Sequence, residues 1–253
     1  MPARLKDDAR SPRSPLTLAV LGLVILTLIV GFLALGVWQV ERRAWKLDLI
    51  RQVDARVHAP ATAAPGPVQW PSITRRGDRY RHVVLHGVYD HDRETLTQAV
   101  TDLGPGFWVM TPFRTDDGFT VLINRGYVST ERRAPATRAA GQIRGATIVQ
   151  GLLRITEPKG GFLRANDPAA DRWRSRDVQA IALRRGLTDT APYFVDADAT
   201  ANPGGWPVGG LTVIRFPNSH LVYALTWFGM ALLTAVGGLL LARDERRLRK
   251  GRP

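Results

Sequence analysis

Cysteine is absent from the 253 residues, which excludes disulfides, Cys-ligated zinc, iron–sulfur clusters, thiolate copper sites and c-type haem attachment. The same absence removes a clue to compartment, because a disulfide-free chain can live on either side of a membrane. The common catalytic signatures are missing as well. No HExxH, GxxxxGK[ST], GxSxG or strand–GxGxxG–helix occurs, so the usual hydrolase, NTPase and dinucleotide readings have no support.

What is present is 45 % hydrophobic and 23 % charged, a globular rather than a disordered composition. The net charge is +13, which invites a nucleic-acid reading until the charge is located. Residues 1–15 carry +2 and residues 243–253 carry +4, leaving +7 on the middle. The C-terminal tail directly abuts an apolar run, where the expected partner is anionic membrane lipid. No nucleic-acid partner is expected.

Two apolar runs dominate the hydropathy pattern. Leu16 to Val37 is 22 residues without a charge, about 33 Å of helix, against a hydrocarbon core of about 30 Å. Ala34-Leu35-Gly36 has the form of a signal-peptidase site, but the run exceeds the apolar core of about 7–15 residues usual in signal peptides. Leu221 to Ala242 is equally long and uncharged, with Tyr223, Trp227 and Phe228 near its start and Arg243, Arg246 and Arg247 behind it. That is an aromatic interface at one end and a basic one at the other. Basic residues before and after the first run leave its orientation open. Six of them follow the second, while Arg215 alone lies in the twenty residues before it, so both termini are expected in the cytoplasm.

The expected organisation is a membrane protein with two transmembrane α-helices flanking an extracytoplasmic, mainly β, α+β domain. Its parts are a cytoplasmic basic tail (1–15), a first span (16–37), the domain (38–219, with an Ala/Pro-rich linker at 58–71), a second span (220–242) and a second basic tail (243–253). Trp38, Arg42 and Trp45 recur at i, i+4 and i+7 on a continuing helix, either as an interfacial anchor or as a docking face. Strands are expected over Tyr80–Tyr89, Phe107–Phe113 and Phe119–Val128, then Thr147–Arg154, Pro192–Asp196 and Leu211–Phe216. A helix is expected over Arg176–Arg185, with Ser175 as N-cap, Val178, Ile181 and Ala182 as its apolar stripe, and Gly186 as its stop.

Chemistry-bearing residues are few. His82, His86 and His91 with Asp90 and Asp92 suggest a metal, but strand spacing puts His82 and His86 about 13 Å apart, so solvated histidines are expected and no metal site. Asp116, Asp117, Asp196 and Asp198 fall in turns or at strand ends, where solvated roles are expected. The glycines of Pro203 to Gly210 read as turns. His220 stands apart: it opens the second run, and Tyr223, Ala224 and Trp227 follow on the same helical face. A neutral imidazole there could ligate haem iron with the ring against Tyr223 and Trp227; the alternative is an interfacial histidine in an aromatic belt.

At these residues the chain resembles the Surfeit locus 1 family of cytochrome c oxidase assembly proteins. Leu35-Gly36-Val37-Trp38-Gln39-Val40-Glu41-Arg42-Arg43-Ala44-Trp45-Lys46 is similar to the family's LGxWQxxRxxWK. Gly87-Val88-Tyr89, Gly104 to Phe107 (which contains Gly106), Thr111-Pro112-Phe113 and Val121 to Val128 (which contains Asn124-Arg125-Gly126) resemble its central blocks. Pro217 to Trp227 resembles its NxHLxYAxTW entry to the second span. The chain departs from the pattern at Tyr127, where Trp is usual, and at Ser219, where Asn is frequent.

The resemblance implies a non-enzymatic accessory protein that helps place haem a into the catalytic subunit (subunit I) of the oxidase, alongside other assembly factors. It implies His220 as the haem-contacting residue with Tyr223 and Trp227 beside it. Trp38, Gln39, Arg42, Trp45, Gly106, Pro112, Asn124, Arg125 and Gly126 would dock the partner or stabilise the protein. The rival expectation is a haem-independent chaperone that holds a nascent oxidase subunit, its span packing dependent on Gly237 and Gly238. Thirty-one arginines against four lysines go with a high-GC bacterial genome, and Asp7 and Asp8 weigh against a mitochondrial transit peptide; the expected location is a bacterial plasma membrane.

Overall fold

A computed structural model describes residues 11–161 and 164–250; of the charged tail residues, Arg4, Lys6, Asp7, Asp8, Arg10 and Arg252 lie outside them. The chain forms two compact units, one from residues up to Ile50 together with those from Phe216 onward, the other Arg51–Arg215.

The first unit is a pair of helices. α1 (Pro15–His58) starts where Pro15 supplies the first helical residue and the Ser14 hydroxyl accepts from the Thr17 amide at 3.1 Å, a side-chain cap followed by the residue best suited to the first turn. α3 (His220–Lys250) begins three residues after Pro217. Both are long and apolar enough to cross a membrane, and the most apolar stretch of each is 0 % and 11 % buried inside the protein. Their contact is antiparallel and built from small residues, as close helix approach requires. Ala224 and Ala231 are buried on α3, a Cβ at Gly36 would run into the Phe228 ring, and one at Gly238 would press on Ile25. Gly237, expected at the same contact, has nothing nearby.

The second unit is a sheet closed on itself. Its strands are β1 (Thr62–Ala63), β2 (His82–Tyr89), β3 (Thr95–Thr101), β4 (Gly104–Thr115), β5 (Thr120–Ser129), β6 (Thr147–Ile155) and β7 (Thr190–Ala197). The order β2-β6-β7-β5-β4 returns to β2 through pairing of Gly87–Tyr89 with Phe113–Thr115, making a five-stranded barrel. Only β5–β7 within that ring is parallel. β1 and β3 each cover half of an edge that the ring leaves free, on β2 and β4 respectively. Pro112 sits on β4 between its β3 register, which ends at Met110, and its β2 register, which begins at Phe113; a residue without an N–H is tolerated where no ladder bond is donated.

Alternation along the strands sorts the core. Val121, Ile123, Tyr193 and Val195 point into the barrel with Val83, Leu85, Phe113 and Leu153. Leu122 and Phe194 point the other way, under Trp173 and the helix α2 (Val178–Arg185) with Val178 and Ile181. β5 is therefore buried on both faces, which explains why its run is apolar rather than alternating.

Several expectations need correction. Asp177, not Ser175, caps α2, accepting from the Ala180 amide, while Gly186 ends the helix in the left-handed region as expected. The Ser175 hydroxyl is turned to the Glu157 carbonyl. Leu211–Phe216 forms no strand: both edges of neighbouring β7 are already occupied by β6 and β5. β3 was not anticipated, because its inward positions are Thr95, Thr97 and Ala99 while Val100 faces solvent, which inverts the apolar signal. The 58–71 stretch carries β1 and a 3-10 segment (Pro67–Ser72), with Ala64 and Trp70 packed on the barrel core.

Candidate functional site

In the helix pair, His220 is the first residue of α3 and its Nδ1 lies 2.7 Å from Gln39 Oε1 on α1. Gln39 is buried. An amide oxygen only accepts, so the imidazole nitrogen that meets it is the protonated one. Trp227, two turns along, stacks on Phe32 with ring centroids 5.8 Å apart and planes at 23°. Tyr223 does not share that contact and is half exposed. The expected single face is thus divided: Ala224 and Trp227 meet α1, and Tyr223 faces outward. At the opposite end of the pair, buried Glu245 accepts from the Arg13 amide at 2.9 Å and from Arg249 Nε at 3.3 Å. The two polar clasps are separated by roughly 38 Å of apolar helix at 1.5 Å per residue.

On either side of Gln39, Trp38 and Trp45 are half exposed, and the Arg42 guanidinium lies 4.7 Å above the Trp45 ring. The Lys46 ammonium is 5.4 Å from the Phe216 ring. Apolar stems and indoles with charged heads beside them suit a headgroup boundary or a polar partner surface.

The barrel holds the other expected residues in two separate groups. Asn124 on β5 donates to Asp196 Oδ1 at 2.7 Å and accepts the Gly126 amide at 3.2 Å. Asp196, expected to be solvated, is 3 % exposed. It also receives Arg154, Arg176 at 3.2 Å and the Thr212 hydroxyl at 2.9 Å. Glu157 completes the network with two bonds from Arg176, at 3.0 and 2.7 Å. Burial would lower the Arg176 pKa, but the Asp196 and Glu157 carboxylates overcome it and hold the guanidinium charged above its ordinary value. A cavity of about 620 Å³ opens beside these groups, bordered by Trp108 and Val213.

Arg125 points away from that network. It is 1 % exposed, lies 4.7 Å over the Tyr89 ring, and donates to the Gly141 carbonyl and to Asn202 Oδ1 at 2.8 Å. Burial lowers its pKa, and burial pushes the Tyr89 phenol up to about 12. Nearby His91, expected as a solvated strand histidine, sits instead in a 3-10 turn with Nε2 2.8 Å from the Ile143 carbonyl. Gly126 has a φ of +126° and lies against the Val208 carbonyl, where any Cβ would collide. Gly106 is equally constrained by the Val128 carbonyl and the Tyr127 ring. Gly106, Asn124, Arg125 and Gly126 thus each make close contacts within the β-rich unit, and Pro112 lies on β4 between two registers.

The groups missed from sequence are Arg154, Glu157 and Arg176. They come from separate segments, and only the strand order brings them to Asp196. The one local signal was Asp196 itself, an acid at the end of the apolar strand run Tyr193-Phe194-Val195. Among the described residues no group of three or more His, Asp or Glu is placed to hold a metal ion.

A family model for the SURF1 family matches residues 26–232. The chain belongs to the SURF1 family. It is 35 % identical to the human Surfeit locus protein 1 over 229 residues, covering 84 % of this chain and 74 % of the relative. The rat protein of the same name is 36 % identical over 217 residues, 79 % and 69 % of the two chains. A SURF1-like protein of Caenorhabditis elegans is 30 % identical over 252 residues, 91 % and 77 %. The matched span includes Gln39, His220, Tyr223 and Trp227 together with the barrel residues above.

Proposed function

We propose that this SURF1-family protein is a non-enzymatic assembly factor for a haem–copper cytochrome c oxidase. On this reading α1 and α3 cross a bacterial plasma membrane with both termini cytoplasmic and the barrel outside. The polar clasps at Arg13–Glu245 and Gln39–His220 support this: about 38 Å of uncovered apolar helix lies between them, enough for a hydrocarbon core of about 30 Å with some interface.

The observation that carries the haem reading is the Gln39–His220 pair. The residues fit haem a as cargo: an imidazole with one nitrogen held by a buried side chain, near the half-exposed Tyr223 ring and the Trp227–Phe32 stack. Haem iron accepts an imidazole lone pair as an axial ligand. His220 would supply that lone pair, Tyr223 an apolar wall, and the Trp227–Phe32 stack would fix α3 against α1. Trp38, Arg42 and Trp45, exposed around the clasp, would face lipid headgroups or the oxidase catalytic subunit.

The test is the visible spectrum, oxidised and dithionite-reduced, of wild type and His220→Ala purified in mild detergent from cells that make haem a. A reduced haem a band in wild type that is lost in a folded variant supports the reading. No band in either, with oxidase subunits still recovered alongside, makes the protein a haem-independent chaperone.

A further inference from the structure

We propose that Gln39 is a positioning residue for His220: its side-chain oxygen fixes the Nδ1–H tautomer and thereby makes Nε2 the one nitrogen able to ligate iron. The inference rests on the haem reading above and adds to it which atom binds and what prepares it.

A neutral imidazole carries one proton, and a ligand nitrogen must be the one without it. In water the two tautomers interconvert freely, so an unassisted histidine offers the required lone pair at a given nitrogen only part of the time. Gln39 Oε1 lies 2.7 Å from Nδ1, a strong hydrogen-bond distance for a group that can only accept. Its burial removes competing water from that contact. Nε2 has no hydrogen-bond partner among the described residues. The proton is therefore held on Nδ1, and the lone pair on Nε2.

Two features argue that Gln39 is placed for this and does more than pin one helix to the other. The helices are already held by Ala224, Ala231, the Gly36–Phe228 approach and the Phe32–Trp227 stack, and they are clasped again at Glu245. The acceptor is also neutral: a Gln oxygen sets the tautomer without adding a charge beside an apolar segment, where a carboxylate would cost more. An acceptor behind a metal-bound imidazole both orients the ring and raises its basicity, and losing such a partner typically weakens metal binding about 10–100-fold.

The experiment uses the full chain in detergent and has two readouts. Nitrogen-15 spectra of the imidazoles in haem-free protein, with the His220 signals assigned by their loss in His220→Ala, report which nitrogen carries the proton. Wild type should show protonated Nδ1, and Gln39→Leu should show a mixture of tautomers. Titration with haem a should then give Gln39→Leu an affinity about 10–100-fold lower. Gln39→Glu, which keeps an acceptor, should retain binding with a more negative midpoint potential. Protonated Nε2 in wild type overturns the proposal, since the amide would then be donating. So does a folded Gln39→Leu with unchanged haem affinity and potential, which would leave Gln39 a structural clasp only. If wild type takes up no haem a, the haem reading itself fails and takes the ligand role with it; the nitrogen spectra would still report whether Gln39 sets the tautomer, separating the two failures.

Discussion

Replacing Asp196 with alanine should destabilise the barrel by about 3–5 kcal/mol, the range for stripping one partner from a buried ion pair. The structure says where that loss would fall. Asp196 accepts from Asn124, Arg154, Arg176 and Thr212. Arg176 would keep its two bonds to Glu157, but Arg154, 9 % exposed, would retain as a charged partner a 3.4 Å contact to that same carboxylate, besides the Tyr80 and Phe194 rings it lies over. The cost is thus mainly an under-compensated guanidinium on β6, with the Asn124 amide and Thr212 hydroxyl left to find water. Against a total domain stability of about 5–15 kcal/mol, such a loss should be plain in the intact protein. Hydrogen exchange of the β5 and β7 amides in the full chain, followed against urea in mild detergent, reads barrel opening separately from the helices. Asp198→Ala is the internal control: its side chain accepts one exposed amide, from Thr200 at 2.9 Å, and should cost about 1 kcal/mol or less. Equal, small losses for the two variants would refute the claim that the Asp196 network is desolvated, and a cycle with Arg154→Met should show a coupling of about 0.5–3 kcal/mol.

Two further outcomes follow from the geometry. Burial, with the positive charge of Arg125 and Arg138, lowers the His91 pKa below its ordinary 6.5. The unfolded chain therefore takes up that proton first, and barrel stability should fall as pH drops below about 6.5; His91→Phe should flatten this part of the pH–stability profile, and an unchanged slope would assign the acid sensitivity elsewhere. In the helix pair, Gly36→Leu should force α1 off Phe228 at a cost of about 1–3 kcal/mol, whereas Gly237→Leu, with open space around it, should be near neutral. With no native cysteine, the disulfide yield of an introduced Ile25→Cys, Gly238→Cys pair measures this, and equal yields in both leucine backgrounds would contradict the contact.

How far these features could be read from sequence depends on the range of the interaction that makes them. Both long helices were legible because an uncharged run of 22 residues satisfies helix and span criteria locally, whatever lies beside it. The β2, β4, β5, β6 and β7 regions were legible for the same reason: β-branched and aromatic runs bounded by turn residues. β3 was not, since its buried side chains are threonines and its exposed one is Val100; what makes it a strand is the free half-edge of β4. Leu211–Phe216 failed the opposite way, having the pattern of a strand but no edge to join. The candidate site divides along the same line. His220, Tyr223 and Trp227 could be grouped by helical spacing, but which of them meet α1 depends on a partner 181 residues away in sequence, the separation of Gln39 from His220. Asp196 was visible as a residue and misjudged as solvated, and Gln39 was visible without its partner, because a polar side chain is defined by what it faces. The two cases share a physical basis: a buried polar group is tolerated only when its partners are supplied, so each marks a place where the fold has specified an arrangement that hydrophobic patterning cannot encode. For Asp196 that arrangement closes a barrel. For Gln39 it pins His220, the first residue of α3, to α1 at one end of the apolar helix pair.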